Sequence, residues 1–558
     1  MPQCKECNTQ FTVHPNDKKI LEYFDAPEPT LCATHSLQQR LSWRNERHLY
    51  KRTCELCGKD ILAMYSKNSY AHVYCRDCWY SDNWDSMSYG RDYDPSQSFF
   101  EQFAELLGNT PLSNLFQIGS VNSDYCNVIY NSKDSYLSFS NVRSEGSLYS
   151  KIIDDSRDCT DSYIIKNSEL LFECVHVNDS YFCAYLTRCE KCSECYLSRD
   201  LQDCQNCFGC VNMHHKQYCW FNEQLTKDEY ERRLALALKD RSSFEEQQKK
   251  FEIFSKDHPF EFATIRNCDD VTGDFLGNCK EIRRSFFTYD AENCGDCFRL
   301  IWNSKDNYRA SFGGTAIGCY NCQPNPFSTS SMCVFGNEHC SFASYSFYCL
   351  NSDSIFGCVG LRKKKFCILN KQYDQLEYEE LKTKIIEDMK KRGEYGEFMP
   401  NNYLPHGYND GVGHEYFPLS RDEVLARGWP WEDEQGGSRG KETHSSKDIP
   451  ASIDEVDEAI IKDIFACSDC GLNYRIIKQE FERLKKFHFA IPVKCPDCRF
   501  KKRFERSIVP VLYHRSCMCV ENHPAHQGAP CDTTLETTYA QERPEIVYCN
   551  ACYREVLQ

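Results

Sequence analysis

Between Ser36 and Arg52 the chain carries two stripes. Leu37 and Leu41 share one side of a helix, while Arg40, Arg44, Arg47 and Lys51 recur at i, i+4, i+7 and i+11 on another. This pattern predicts a helix with an apolar seam and a basic face. A short helix is predicted over 98–107. From 122 to 222 the texture changes to Asn-, Asp- and Ser-rich turns followed by short apolar or aromatic runs. Examples are Ser132-Lys-Asp-Ser-Tyr136, Arg157-Asp-Cys-Thr-Asp-Ser-Tyr163, Asn178-Asp-Ser-Tyr181 and Asp203-Cys-Gln-Asn-Cys-Phe208. Such alternation without a helical period predicts strands and turns stacked as rungs, a parallel β-solenoid, although its aromatic anchors are unevenly spaced. Charged helical patterns at 226–254 and 375–391 are suited to capping the ends of such a stack.

Two internal repeats organise the rest. At a constant offset of 148, Cys207, Phe208, Gly209 and Cys210 fall on Ile355, Phe356, Gly357 and Cys358, and Cys219, Asn222 and Tyr230 on Cys367, Asn370 and Tyr378. At an offset of 463, Cys4, Cys7, Cys32, His35 and Cys54 fall on Cys467, Cys470, Cys495, Cys498 and Cys517, with Arg40 on Arg503 and Arg52 on Arg515. The expected fold is multidomain and mainly β with some α, with zinc-ribbon or treble-clef modules at both ends of a duplicated parallel β-solenoid. The expected segments are a double metal module at 1–95, solenoid halves with capping helices at 96–258 and 259–395, a partly disordered linker at 396–460, and a second double metal module at 461–558. Within the linker, 408–418 reads as an ordered strap, and Trp429-Pro-Trp431 as a docking peptide running into a tether.

Composition explains what the modules would hold. The 558 residues include 38 cysteines, and the chain shows neither a signal-peptide pattern nor an apolar run long enough to span a bilayer. Clustered cysteines in a reducing cytoplasm point to metal ligands, with zinc the default ion for thiolate and imidazole. Cys4-x2-Cys7 and Cys32-x2-His35 give one tetrahedral set, and Cys54-x2-Cys57 with Cys75-x2-Cys78 a second. Cys467, Cys470, Cys495 and Cys498 give the third. For the fourth, Cys517, Cys519, Cys549 and Cys552 are the expected ligands, with Cys531, His514, His523 and His526 as competitors. About four structural zinc ions are thus expected, each with a closed shell of protein ligands. The central strings Cys189-x2-Cys192-x2-Cys195 and Cys204-x2-Cys207-x2-Cys210 resemble iron–sulfur spacing. At offset 148, however, Cys204 and Cys207 become Ser352 and Ile355, so interior packing is expected instead.

Net charge is −16, yet the two modules are locally basic. Arg40, Arg44, Arg47, Lys51 and Arg52 in the first, and Arg499, Lys502, Arg503 and Arg506 in the second, are candidates for contact with a phosphate backbone or an acidic protein surface.

Several strings resemble an uncharacterised, cysteine-rich zinc-ribbon family common in bacteria with very small genomes. They are Leu49-Tyr-Lys-Arg-x-Cys54-x2-Cys57-Gly, Met87-Ser-Tyr-Gly-Arg-Asp92, Phe208-Gly-Cys-Val-Asn212, Glu415-Tyr-Phe-Pro418 and Arg543-Pro-Glu-Ile-Val-Tyr-Cys549-x2-Cys552. The resemblance covers nearly the whole chain and implies zinc binding, with cysteine usual at the position of His35, but no activity. A non-enzymatic zinc-binding scaffold is therefore expected, binding nucleic acid, RNA before DNA, through its basic helices. The alternative is a protein-interaction or assembly scaffold. An enzyme built on a solenoid face is the third reading, and no paired acid and base or nucleophile motif supports it.

Overall fold

The computed structural model describes residues 1–557 apart from 324–326, 434–435, 521–525 and 527–529. The N-terminal module contains α1 (Pro15–Tyr23), α2 (Ala33–Ser42), a hairpin pairing Tyr50–Thr53 with Asp60–Ala63, and α3 (Arg76–Tyr80). Next comes α4 (Phe99–Asn109), whose Phe99 packs edge-on against Tyr345 and Phe356 far along the chain.

The centre is two stacks of short parallel strands. In the first, Tyr163 pairs with Val175, Thr187 with both Val175 and Arg199, and Arg199 with Val211, so equivalent positions recur at a fixed step along the sequence. The second runs from Ile265 to Ile368 on the same step, which shortens by one where Ile265 meets Leu276 and lengthens by one where Ala291 meets Ser304. The rung length follows from a backbone cycle of three. Asp155, Asp158, Asp161, Ile164 and Asn167 all have φ between 48° and 59°, so the chain bends at every third residue and closes a rung in four sides. Left-handed backbone costs a non-glycine residue roughly 1–2 kcal/mol, least for Asn and Asp, which explains the acidic and amide-rich turns.

The residue after a bend turns into the stack, as Ile165, Leu171, Cys174 and Val177 do, and where it is serine it ties neighbouring rungs together. The backbone N–H groups of Ser144, Ser156, Ser168, Ser180 and Cys192 each donate to the hydroxyl of the serine at the same place one rung earlier, at 3.0–3.4 Å. Where cysteine replaces serine, the thiol lies against carbonyls of its own and the next rung. Cys204 Sγ, for example, donates to Gln202 O at 3.4 Å and to Met213 O at 3.3 Å. Cys189, Cys192, Cys195, Cys204, Cys207 and Cys210 are all buried free thiols in one apolar cluster. Burial pushes several of the buried thiols, Cys174 and Cys195 among them, well above the usual range. They serve as small core residues.

Both stacks end alike. The Asn222 side chain bonds both backbone groups of Val211, and Asn370 does the same to Val359, so each amide stands in for a missing rung. Helices α5 (Lys227–Ala237) and α6 (Arg241–Lys256) follow the first stack and α7 (Gln375–Arg392) the second, with Tyr230 and Tyr378 buried beneath them.

The first half of the expected linker is packed, while most described residues from 436 to 460 are exposed. Phe398, Met399, Leu404, Tyr408, Val412 and Tyr416 are buried, and Trp43 Nε1 donates to Met399 O at 3.0 Å. The strap, with α8 (Val412–Tyr416) and α9 (Arg421–Ala426), therefore extends from Phe398 to Trp431, whose ring meets His414 edge-on. Its aromatic anchors outweigh the loosening effect of its glycines and prolines.

The C-terminal module contains α10 (Lys478–Phe487), α11 (Pro496–Phe504), a hairpin pairing Tyr513–Ser516 with Thr534–Thr537, and α12 (Asn550–Glu555). The modules dock crosswise. In the first, α1 and α2 sit on the second stack, through Asp17–Arg283 at 2.7 Å and Arg40–Ser311 at 3.2 Å. In the second, α10 and α11 sit on the first stack, through Arg483–Asp158 and Arg503–Asp161. Each module also adds a short parallel strand beside a stack's beginning: Val73–Tyr74 pairs with Leu112–Ser113, and Val547–Tyr548 with Phe260–Glu261. Leu112 and Phe260 stand at the same offset that relates the two stack ends. Among the described residues, no helix is long and apolar enough to cross a membrane.

Candidate metal centres

Each knuckle places its ligands by a turn and a helix start. In the first, Asn8 N donates to Cys4 O at 2.9 Å, and Asn8 takes a left-handed φ of 58°. Gly471 occupies the matching place after Cys467 with φ 72°. The second knuckle of each site opens a helix: Cys32, Cys75, Cys495 and Cys549 are the N-cap residues of α2, α3, α11 and α12. A thiolate at a helix N-terminus faces free N–H groups and the positive end of the helix dipole.

Among the described residues, four tetrads have ligand atoms within 4.8 Å of one another: Cys4, Cys7, Cys32 and His35; Cys54, Cys57, Cys75 and Cys78; Cys467, Cys470, Cys495 and Cys498; and Cys517, Cys531, Cys549 and Cys552. Sulfurs stand 3.9 Å apart in Cys57–Cys75, 3.7 Å in Cys470–Cys495 and 4.0 Å in Cys531–Cys549. A tetrahedron with metal–sulfur bonds of about 2.3 Å has edges of about 3.8 Å, so these spacings suit one ion per tetrad. A disulfide would need about 2.05 Å. His35 Nδ1 lies 3.2 Å from Cys32 Sγ and 3.7 Å from Cys4 Sγ, and burial lowers its pKa, favouring the neutral imidazole that binds metal.

The first ligand of three tetrads accepts a matching backbone bond, which favours the thiolate at Cys54 and Cys467, whereas at Cys517 burial prevails and pushes the thiol up to about 11. Cys75 N donates to Cys54 Sγ at 3.1 Å, Cys495 N to Cys467 Sγ at 3.2 Å, and Cys549 N to Cys517 Sγ at 3.2 Å. Burial opposes ionisation of Cys54, but the N–H groups of Cys75, Cys57 and Leu56 outweigh it and bring the thiol to about 6. Cys467, against the same opposition, is brought to about 7 by the N–H groups of Cys495, Cys470 and Asp469. One thiol in each of these sites is thus poised as a thiolate, while burial raises its partners Cys75, Cys78, Cys495 and Cys498, whose protons an incoming ion displaces.

The fourth tetrad corrects one expected ligand: Cys531 stands where Cys519 was assigned. The offset between modules explains why. It is 463 up to Cys517, then becomes 474, so Cys57, Cys75 and Cys78 correspond to Cys531, Cys549 and Cys552. The insertion that follows Cys517 carries Cys519 away from the knuckle position. Cys519 instead groups with His526 and Cys552. His514 lies on the hairpin strand, opposite Glu536, and His523 lies outside the described residues.

The expected basic face is turned inward, which is a second correction. Arg40 is fully buried, donating to Ser36 and Ser311 and to Asp296 O, and burial with Arg309 nearby lowers it to about 10. Arg44 pairs with buried Glu46 and lies over the Phe312 ring. Arg47 reaches the other module, bonding Asp497 at 2.8 Å and lying 3.4 Å from the Phe500 ring centre. Arg52 donates to Ser66 O at 2.8 Å and pairs with Glu55.

In the second module, buried Arg499 pairs with Glu480 and Asp161, buried Arg503 with Asp161 and Glu173, and Arg506 with Glu173. Only Lys51 and Lys502 of the nine candidates are exposed. The helical pattern was a valid guide to one shared face. The acidic partners on distant rungs, which decide what that face meets, carried no local signal. Compared with known proteins, the chain matches no family model, and no curated protein matches it significantly in sequence.

Proposed function

We propose that the chain is a non-enzymatic zinc-binding scaffold in which two metal modules lock two halves of a duplicated β-solenoid together, and that it engages protein partners rather than nucleic acid. The observation that carries this reading is the use of the module arginines. Seven of the nine basic candidates are engaged in internal pairs and bonds to carbonyls, so among the described residues the expected basic faces of the two modules do not form a stripe for a phosphate backbone, on a chain of net charge −16. Four protein ligands in each tetrad also leave no coordination position for a substrate, the pattern of structural rather than catalytic zinc. Reduced thiols throughout the core fit a cytoplasmic setting.

The test is affinity capture from lysate with the full chain, with and without nuclease, at low and moderate salt. Specific protein partners that survive both treatments support the scaffold. RNA retained with a steep salt slope, flattened by Lys51→Ala with Lys502→Ala, supports the nucleic-acid alternative instead.

A further inference from the structure

The C-terminal module differs from its N-terminal counterpart by the insertion between its first and second ligands. That segment supplies two metal-binding side chains the other module lacks. Cys519 lies within this insertion, is 1% exposed, and is fixed by a bond from Cys531 N to its carbonyl at 3.0 Å. Its sulfur, a ring nitrogen of His526 and the sulfur of Cys552 lie within 4.8 Å of one another. Cys552 is at the same time a member of the complete tetrad beside it. A closed tetrahedral shell has no use for two further donors. A thiolate, however, has lone pairs enough to bind two ions at once.

We propose that this module holds a second divalent ion of the zinc class, bound by Cys519, His526 and a bridging Cys552. Three protein ligands leave its fourth position to water or to a small anionic or thiol ligand, so this ion is the exchangeable one of the chain. The other four ions hold structure, whereas this one can be gained or lost without dismantling the fold. The inference rests on the reading that the neighbouring tetrad holds zinc.

The experiment is metal counting on the full chain. The protein is saturated with Zn2+, dialysed against buffer without chelator and analysed by mass spectrometry, then the procedure is repeated with Co2+ and absorption spectra. The wild type is expected to retain five ions. Cys519→Ser and His526→Gln are each expected to retain four, with unchanged thermal unfolding. In the Co2+ form, the fifth equivalent should perturb the spectrum of the fourth through the shared sulfur, and this should vanish in both variants. His526 is only partly buried, so its variant keeps the test valid should Cys519→Ser fold poorly. Four ions in the wild type and both variants alike would overturn the bridged site while leaving the four-site scaffold standing. Fewer than four in the wild type would overturn the four-site reading and the second ion with it.

Discussion

Arg503→Ala probes the docking of the C-terminal module most sharply. Arg503 is 1% exposed and donates to Asp161 and Glu173 at 2.9 and 2.8 Å and to Tyr149 O at 3.1 Å. Asp161 is itself fully buried, and burial already raises the pKa of Glu173. Removing the guanidinium leaves the buried Asp161 and the half-buried Glu173 sharing Arg499 and Arg506, the kind of broken pair that costs about 3–5 kcal/mol when fully buried. The loss falls on the interface between α11 and the first stack. Hydrogen exchange of the 500–504 amides should therefore quicken by roughly a hundredfold to several thousandfold, at about tenfold per 1.4 kcal/mol. Zinc content should be unchanged, because no ligand is touched. Arg503→Met, which restores volume without charge, separates lost packing from lost pairing. Exchange within threefold of wild type in Arg503→Ala would refute the strut role.

Two further predictions follow from the same physics. Glu46 is buried against Lys151 at 2.9 Å and Arg44. Burial alone would raise its pKa, but the two cations overcome that and hold it below the ordinary carboxylate value. Its contribution should be complete above an unfolded pKa of about 4.3 and should fade as pH falls toward its lowered folded value. Acid unfolding of Glu46→Gln should accordingly be shallower below about pH 4, and an acid limb identical to wild type would count against the pairing. Ser156→Ala removes a rung tie, since Ser156 Oγ donates to Asp154 O at 2.7 Å and accepts from Ser168 N at 3.0 Å. It should cost about 1–3 kcal/mol in denaturant unfolding, and a neutral result would mean the serine column only fills space.

The candidate metal sites were largely legible because ligand spacing is a local signal. Cys4, Cys7, Cys32 and His35 meet as their knuckles require, and the repeat at 463 reinforced His35. The error at Cys519 came from extending that offset past an insertion, whereas Cys531, Cys549 and Cys552 align once the offset is reset to 474.

In the centre, the aromatic anchors gave no clear period because rings such as Tyr136 and Tyr149 pack on the outside of the stack, where neighbours vary. The period lay in the small residues. Ser132, Ser135, Ser138, Ser144, Ser147 and Ser150, then Cys174, Cys183, Cys189, Cys192 and Cys195, all sit on one phase of the three-residue cycle. The fate of the arginines was beyond local reading. Whether Arg40 meets solvent or Asp296 O depends on a contact with a segment in the other half of the chain.

The most direct test of the central claim is the zinc content of the purified full chain, measured before and after a strong chelator, with circular dichroism recorded on the same samples. The account predicts at least four ions per chain, one for each tetrad. Their removal should melt α10, α11 and α12 while the parallel-β signal of the stacks persists, because structural zinc contributes roughly 10–16 kcal/mol to modules of this kind. A chain that carries no stoichiometric metal, or whose helices survive complete metal removal unchanged, would contradict it.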